Sequence, residues 1–262
     1  MVWWKSADQQ VVDVSAYALS VGAERTRTTL ACWQREPLRI VGRWVLGSAL
    51  AAAGLLAAVF LISSLYGSYT QILKLQPPFA VGGLGSVLEV LSHNLLVLAL
   101  HALACFAGFV ACSSLPLQAQ AQKGLSRWAH QHGGRIAIVF VACATAFSLC
   151  TQALVLGRTL AGLSRFLRVS PGILLLGVLP HAVIELIALF LPLAAWIIAS
   201  RRGEWDQLLA ATIVTVAIAL PLLVIAALIE VYVSPHLFTA LTGIHPPIVR
   251  EVGRWTVYVQ AR

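Results

Sequence analysis

Charge is what this sequence has least of. Asp, Glu, Lys and Arg make up 11% of its 262 residues, against about 25% in a water-soluble domain. Hydrophobic residues make up 59% and the mean hydropathy is +0.85. That balance excludes one or two soluble domains and implies a polytopic membrane protein. Other absences narrow the chemistry. There is no C-x-x-C pair and no Cys/His spacing of a zinc site. There is no G-x-x-x-x-G-K-[ST] loop, so any ATP-driven role needs a separate ATPase. No cofactor is expected.

Four of the five cysteines lie in apolar runs, as Cys105 with Cys112 and Cys143 with Cys150. Each pair is seven residues apart, on one helix face, and reads as small packing residues. Cys32 lies in the basic N-terminal region. The net charge of +8 raises nucleic acid as a partner. The Lys and Arg residues mostly flank apolar runs, however, which is the placement of topology determinants, and no nucleic acid is expected.

The expected fold is all-α, a transmembrane bundle of about five spans with short interfacial helices. Residues 1–43 form a polar cytoplasmic or interfacial segment, too long ahead of its apolar run to be a cleavable signal. Within it, Val11 to Leu30 has an irregular helical pattern and either lies on the membrane or docks on the bundle. The spans are placed at 44–66, 87–115, 136–157, 173–199 and 208–233, each long enough for the ~30 Å hydrocarbon core. Residues 67–86 and 116–135 read as loops, the second solvated and carrying His130 and His132, for which a metal pair is the lesser alternative. Residues 158–172 read as a short amphipathic interfacial helix with Arg158, Arg165 and Arg168, and 234–262 as a C-terminal tail with an interfacial end. Gly47, Ala51, Gly54 and Ala58 form a small-residue face on span 1, suited to close helix approach. The N-terminal region and the second and fourth loops hold eleven of the eighteen Lys and Arg, which favours a cytoplasmic N-terminus.

The informative residues are polar groups set into spans, which need partners or a task. Span 2 carries Glu89, His93, Asn94 and His101. Glu89 and His93 are i, i+4 neighbours, and Asn94, His101 and Gly108 share a face at seven-residue steps. Span 3 carries Thr151 and Gln152. Span 4 has His181 and Glu185 on a face that also holds Gly177, Ala188, Pro192 and Ala195. Span 5 has Glu230 in line with Thr212, Thr215, Ala219 and Ala226. Alternating spans put Glu89, His93, Thr151, Gln152, His181 and Glu230 in one half of the membrane, with Glu185 slightly deeper. Such convergence suits either a polar intramembrane site or a mutually satisfied structural network.

These residues carry a family resemblance. LLGVLPHAVIELIALFLPLAAW resembles the signature of the stage II sporulation protein M (SpoIIM) family, in which Pro-His-Gly-x-x-Glu begins a membrane helix. AALIEVYVSP, around Glu230 and Pro235, is similar to that family's last span, and SHNLLVLALHALACFAGF to its Asn-containing second helix. The resemblance covers about residues 45–236. Position 182 departs from it, being Ala in place of Gly, which relaxes any close backbone approach there. The family resemblance implies a bacterial membrane protein of envelope-remodelling complexes or of peptide-bacteriocin clusters.

Three functions follow. The first is a membrane scaffold in the bacterial cytoplasmic membrane, holding envelope enzymes or an ABC-type transporter, with the polar residues structural. The second is a membrane component of ribosomal-peptide maturation, export or immunity, acting on a peptide substrate with an ABC-type ATPase. The third is an intramembrane enzyme or proton-coupled carrier. In it His181 is general base or proton shuttle and Glu185 or Glu230 orients it or serves as acid. Whether the chain is an enzyme is open at this point. So is a metal, for which His181, Glu185 and Glu230 are too few ligands.

Overall fold

A backbone in hydrocarbon has to satisfy its own polar groups, and helices do this within each segment. The computed structural model describes residues 14–66, 83–110 and 123–244. Within them the chain is helical apart from short turns, with no strand. The helices are α1 (Val14–Trp33), α2 (Pro37–Leu65), α3 (Leu84–Phe109), α4 (Gly124–Leu167), α5 (Pro171–Arg202), α6 (Leu208–Leu228) and α7 (Ser234–Thr242). A 3-10 turn, Trp205–Gln207, precedes α6, and a π-helical turn, Ile229–Val233, joins α6 to α7. Among the described residues five segments are long and apolar enough to cross a membrane, in accord with the all-α, five-span expectation.

Helix starts follow local chemistry. Pro37, Pro171 and Pro235 sit at the first helical positions, where a missing N–H costs nothing. Ser170 caps α5 by accepting from the Ile173 N–H at 3.4 Å. The α4–α5 joint is only Arg168 to Ser170. Arg168 takes a left-handed φ of 55°, uncommon without glycine. The Val169 N–H donates to the Ser164 carbonyl, and the Ser164 hydroxyl donates to the Val169 carbonyl at 2.6 Å. This tight turn sets the start of α5 against the end of α4.

The bundle is built around α5. In its most apolar window 56% of residues are buried, against 6–28% in the other four spans. It packs on α2, α3, α4, α6 and α7, and its residues Ala188 to Ala195 are buried without interruption. Pro180 and Pro192 lie inside it, each depriving the carbonyl four residues earlier of its N–H. The Cys105 thiol on α3 donates to the Pro192 carbonyl at 3.2 Å, tying α3 to α5. The small face of α6 packs as its pattern implies, with Thr215, Ala219 and Ala226 buried.

Several expectations are corrected. Residues 124–135 are not a loop but the first three turns of α4, so His132 is a half-buried helical residue. Residues 158–167 do not form a separate interfacial helix. They continue α4, whose 44 residues at 1.5 Å each reach about 66 Å, twice the hydrocarbon thickness. Arg158 then stacks over the Tyr66 ring at 5.6 Å from its centroid, at the end of α2. On α2 the buried face is Trp44, Ser48, Ala52, Leu55, Val59 and Ser63. Gly54 is exposed with nothing within 4 Å of where a Cβ would stand, while a Cβ on Gly47 would lie 3.2 Å from Ala194 Cβ. Cys143 and Cys150 are exposed on α4, not packing residues, whereas Cys105 is buried. Cys112, residues 67–82 and the final segment from residue 245 lie outside the described residues.

Of the two placements expected for the N-terminal pattern, α1 takes the docked one. It packs on α6 and the 3-10 turn, and Trp33 meets Trp44 edge-on, with centroids 5.2 Å apart. The N-terminal helix and the α5–α6 connection therefore share one side of the bundle. The starts of α3 and α5 and the end of α6 share the other.

A candidate site where α3, α5 and the α6–α7 junction meet

The start of α5 and the end of the last span pack in antiparallel register, in three successive layers four residues apart. In the first, Gly177 faces Phe238, whose ring is 3.5 Å from where a Cβ would stand. In the second, His181 Nδ1 is 2.7 Å from Ser234 Oγ, and the two residues are 6% and 0% exposed. In the third, the carboxyl of Glu185 feels that of Glu230. Four-residue steps overshoot a 3.6-residue helix by ~40° each. The π turn at Ile229–Val233 widens the spacing in this region, so Glu230 and Ser234 both address α5. Single π turns recur at functional sites.

Asn94 enters the third layer from α3. It is buried, and its side chain interacts with Glu185. The contact is loose, because Asn94 Nδ2 has no partner within hydrogen-bond distance among the described residues. The α3 stripe read from seven-residue spacing then runs along α5, the two helices parallel. Asn94 meets Glu185, His101 meets the Leu189 backbone and lies edge-on to Phe190 at 6.2 Å, and Gly108 meets Trp196. Gly108 allows close approach there, since a Cβ would lie 3.0 Å from Trp196 Nε1 and 3.3 Å from Leu208 Cδ1. His101 Nδ1 and Trp196 Nε1 are buried without partners among the described residues.

The residues singled out in the sequence therefore divide. His181, Glu185, Glu230 and Asn94 come together, and His101 extends the seam two turns along α3. Glu89 and His93 do not join it. Both are exposed on the outer side of α3, because the interior face is set by Val87, Asn94 and Leu98. Gln152 and Thr151 are also exposed, and Gln152 donates to Ser148 on its own helix at 3.2 Å. Ser234 was missed. Its signal was present, since Ser234 follows Glu230 by the same four residues that separate His181 from Glu185. Pro235 beside it, however, suggested the end of the span. Among the described residues no three His, Cys, Asp or Glu side chains converge as a metal would require.

Chemically, the seam joins one imidazole to one hydroxyl and sets the Glu185 carboxyl near the Asn94 amide and within electrostatic reach of Glu230. Apolar packing closes it on either side. Leu163, Leu174 and Phe238 form one cluster, and Val87, Ala227 and Val231 another. No curated protein and no solved structure matches the chain. Residues 135–235 match the family model described as Stage II sporulation protein M, a stretch that runs from α4 through α5 and α6 to Pro235. The chain is thus a multi-helix protein that resembles the SpoIIM family over the helices that carry His181, Glu185, Glu230 and Ser234.

Proposed function

We propose that the chain is a SpoIIM-like integral membrane scaffold of the bacterial cytoplasmic membrane, holding other membrane or envelope proteins while its polar seam serves packing. The observation that carries this reading is the His181–Ser234 contact at 2.7 Å. The side chain best suited to proton transfer is engaged in joining α5 to the α6–α7 junction, in the way buried intramembrane polar groups commonly join helices. The exposed apolar flank of α4, with Phe140 and Phe147 at 72% and 74% exposure, leaves area for lipid or neighbouring spans. The N-terminus is assigned to the cytoplasm. In support, α1 packs on the 3-10 turn beside Arg201 and Arg202, which gathers basic residues on one side.

The same contact favours a second reading, because an imidazole beside a hydroxyl is the arrangement of a general base with a nucleophile. The peptide maturation, export or immunity role rests on the family resemblance and on no contact in the fold. The test is complementation of a deletion strain with His181→Gln, Glu185→Gln and Ser234→Ala, with protein level and recovered partners measured together. Under the scaffold reading, loss of phenotype tracks loss of protein and partners. If the variants accumulate and retain partners while the phenotype disappears, the scaffold reading fails and the catalytic one gains.

A further inference from the structure

On the side opposite the polar seam, a cleft of about 260 Å³ opens between the start of α2, the end of α5 and the 3-10 turn. Trp33, Trp44, Arg43, Arg202, Glu204 and Gln207 line it, over an apolar floor. Arg43 precedes the apolar body of one span and Arg202 ends another, so both stand at the membrane boundary. Both are exposed, and neither has an ion-pair partner among the described residues, where the ion pair formed is Arg39–Glu36. Two arginines on different helices present forked donors suited to a phosphate. Glu204 leaves the cleft with a net charge of +1, which matches the single charge of a phosphodiester. Glu204 and Gln207 supply acceptors for hydroxyls beyond it. Trp33, half-buried at the edge of the cleft and packed edge-on against the buried Trp44 at 5.2 Å, has the amphipathic character of a side chain at the lipid headgroup level.

We infer that this cleft binds the phosphodiester of a hydroxyl-bearing anionic phospholipid headgroup, held by Arg43 and Arg202. Basic pockets between spans are a recognised mode of headgroup capture. The inference requires a membrane protein and is independent of the scaffold reading.

The full-length protein in mild detergent is titrated with phosphatidylglycerol, with phosphatidylcholine, and with glycerol phosphate or inorganic phosphate, and lipid retention is read by native mass spectrometry. The expected result is one retained phosphatidylglycerol, with a preference over phosphatidylcholine of roughly tenfold. Arg43→Gln with Arg202→Gln removes that preference, and Arg43→Lys with Arg202→Lys keeps part of it. Arg165→Gln with Arg168→Gln, at the other end of the bundle, leaves it unchanged. Each variant is accepted only if its unfolding transition matches the parent's. Equal retention of phosphatidylcholine, or an equal loss in the Arg165/Arg168 pair, overturns the inference. Displacement of the lipid by millimolar inorganic phosphate makes this a free-anion site and overturns its lipid part.

Discussion

The His181–Ser234 contact makes a quantitative claim. Ser234 is wholly buried and its Oγ lies 2.7 Å from His181 Nδ1. Ser234→Ala deletes only the hydroxyl and leaves Nδ1 buried without a partner. In water-soluble proteins an orphaned buried polar group costs about 1–3 kcal/mol. Between membrane helices the measured contributions are smaller, averaging about 0.6 kcal/mol and reaching about 1.7, because the separated helices find other partners. Burial and the short distance put this pair near the upper end, at about 1–1.5 kcal/mol. His181→Ala also leaves a cavity where the ring stood, and costs more, about 2–4 kcal/mol. The decisive quantity is the coupling. In the His181→Ala background there is no imidazole to orphan, so Ser234→Ala costs almost nothing there. A double-mutant cycle then gives an interaction of about 1 kcal/mol. Unfolding by dodecyl sulfate in mixed micelles measures it, with the fluorescence of the eight tryptophans as signal. If Ser234→Ala costs the same in both backgrounds, to within about 0.3 kcal/mol, the contact does not stabilise the junction and the structural role given to His181 is wrong.

Three further outcomes follow from the packing. A Cβ on Gly157 would lie 2.6 Å from Ile62 Cγ2, 2.7 Å from Ile62 Cβ and 3.1 Å from the Val59 carbonyl, so α2 and α4 have to part. Gly157→Ala therefore lowers stability by about 1–3 kcal/mol, whereas Gly54→Ala, with nothing within 4 Å, changes it by less than about 0.5 kcal/mol in the same unfolding assay. Asn94→Ala lowers stability by about 1–2 kcal/mol, while Glu89→Gln and His93→Ala on the exposed side of α3 stay within about 0.5 kcal/mol. Equal losses at all three positions would contradict the orientation of α3. In single-cysteine variants in detergent, Cys143 and Cys150 label faster than the buried Cys105 with a membrane-permeant maleimide, in line with their exposure on α4; labelling of Cys105 as fast as theirs would mean that α3 and α5 are not in contact.

Much of the candidate site was legible in one dimension. The i, i+4 pair His181–Glu185 and the i, i+7 stripe Asn94–His101–Gly108 are helix-face patterns. Helix faces depend only on local geometry, so their members stayed together in space. Polar residues in spans usually face inward, a rule that places Glu89 and His93 in the interior. Near a helix end, however, a polar side chain can reach the boundary, and the apolar contacts of Val87 and Leu98 set the rotation of α3. Ser234 was hidden for the opposite reason. A proline next to it resembles a stop, yet at a helix's first positions proline continues the chain direction.

What the sequence determined alone is the class of molecule and the number of spans, because the cost of burying charge and unpaired backbone in hydrocarbon is a property of composition and run length. It also determined that α5 carries the groups to be explained. Only the tertiary structure decided which of the many polar residues meet. That depends on the antiparallel register of α5 with the last span, on the π turn that holds Glu230 and Ser234 to one face, and on the rotation of α3 that brings Asn94 in and turns Glu89 out. Those are set by side-chain packing between helices distant in sequence, and lipid, as apolar as the helices themselves, supplies no pattern from which to read them.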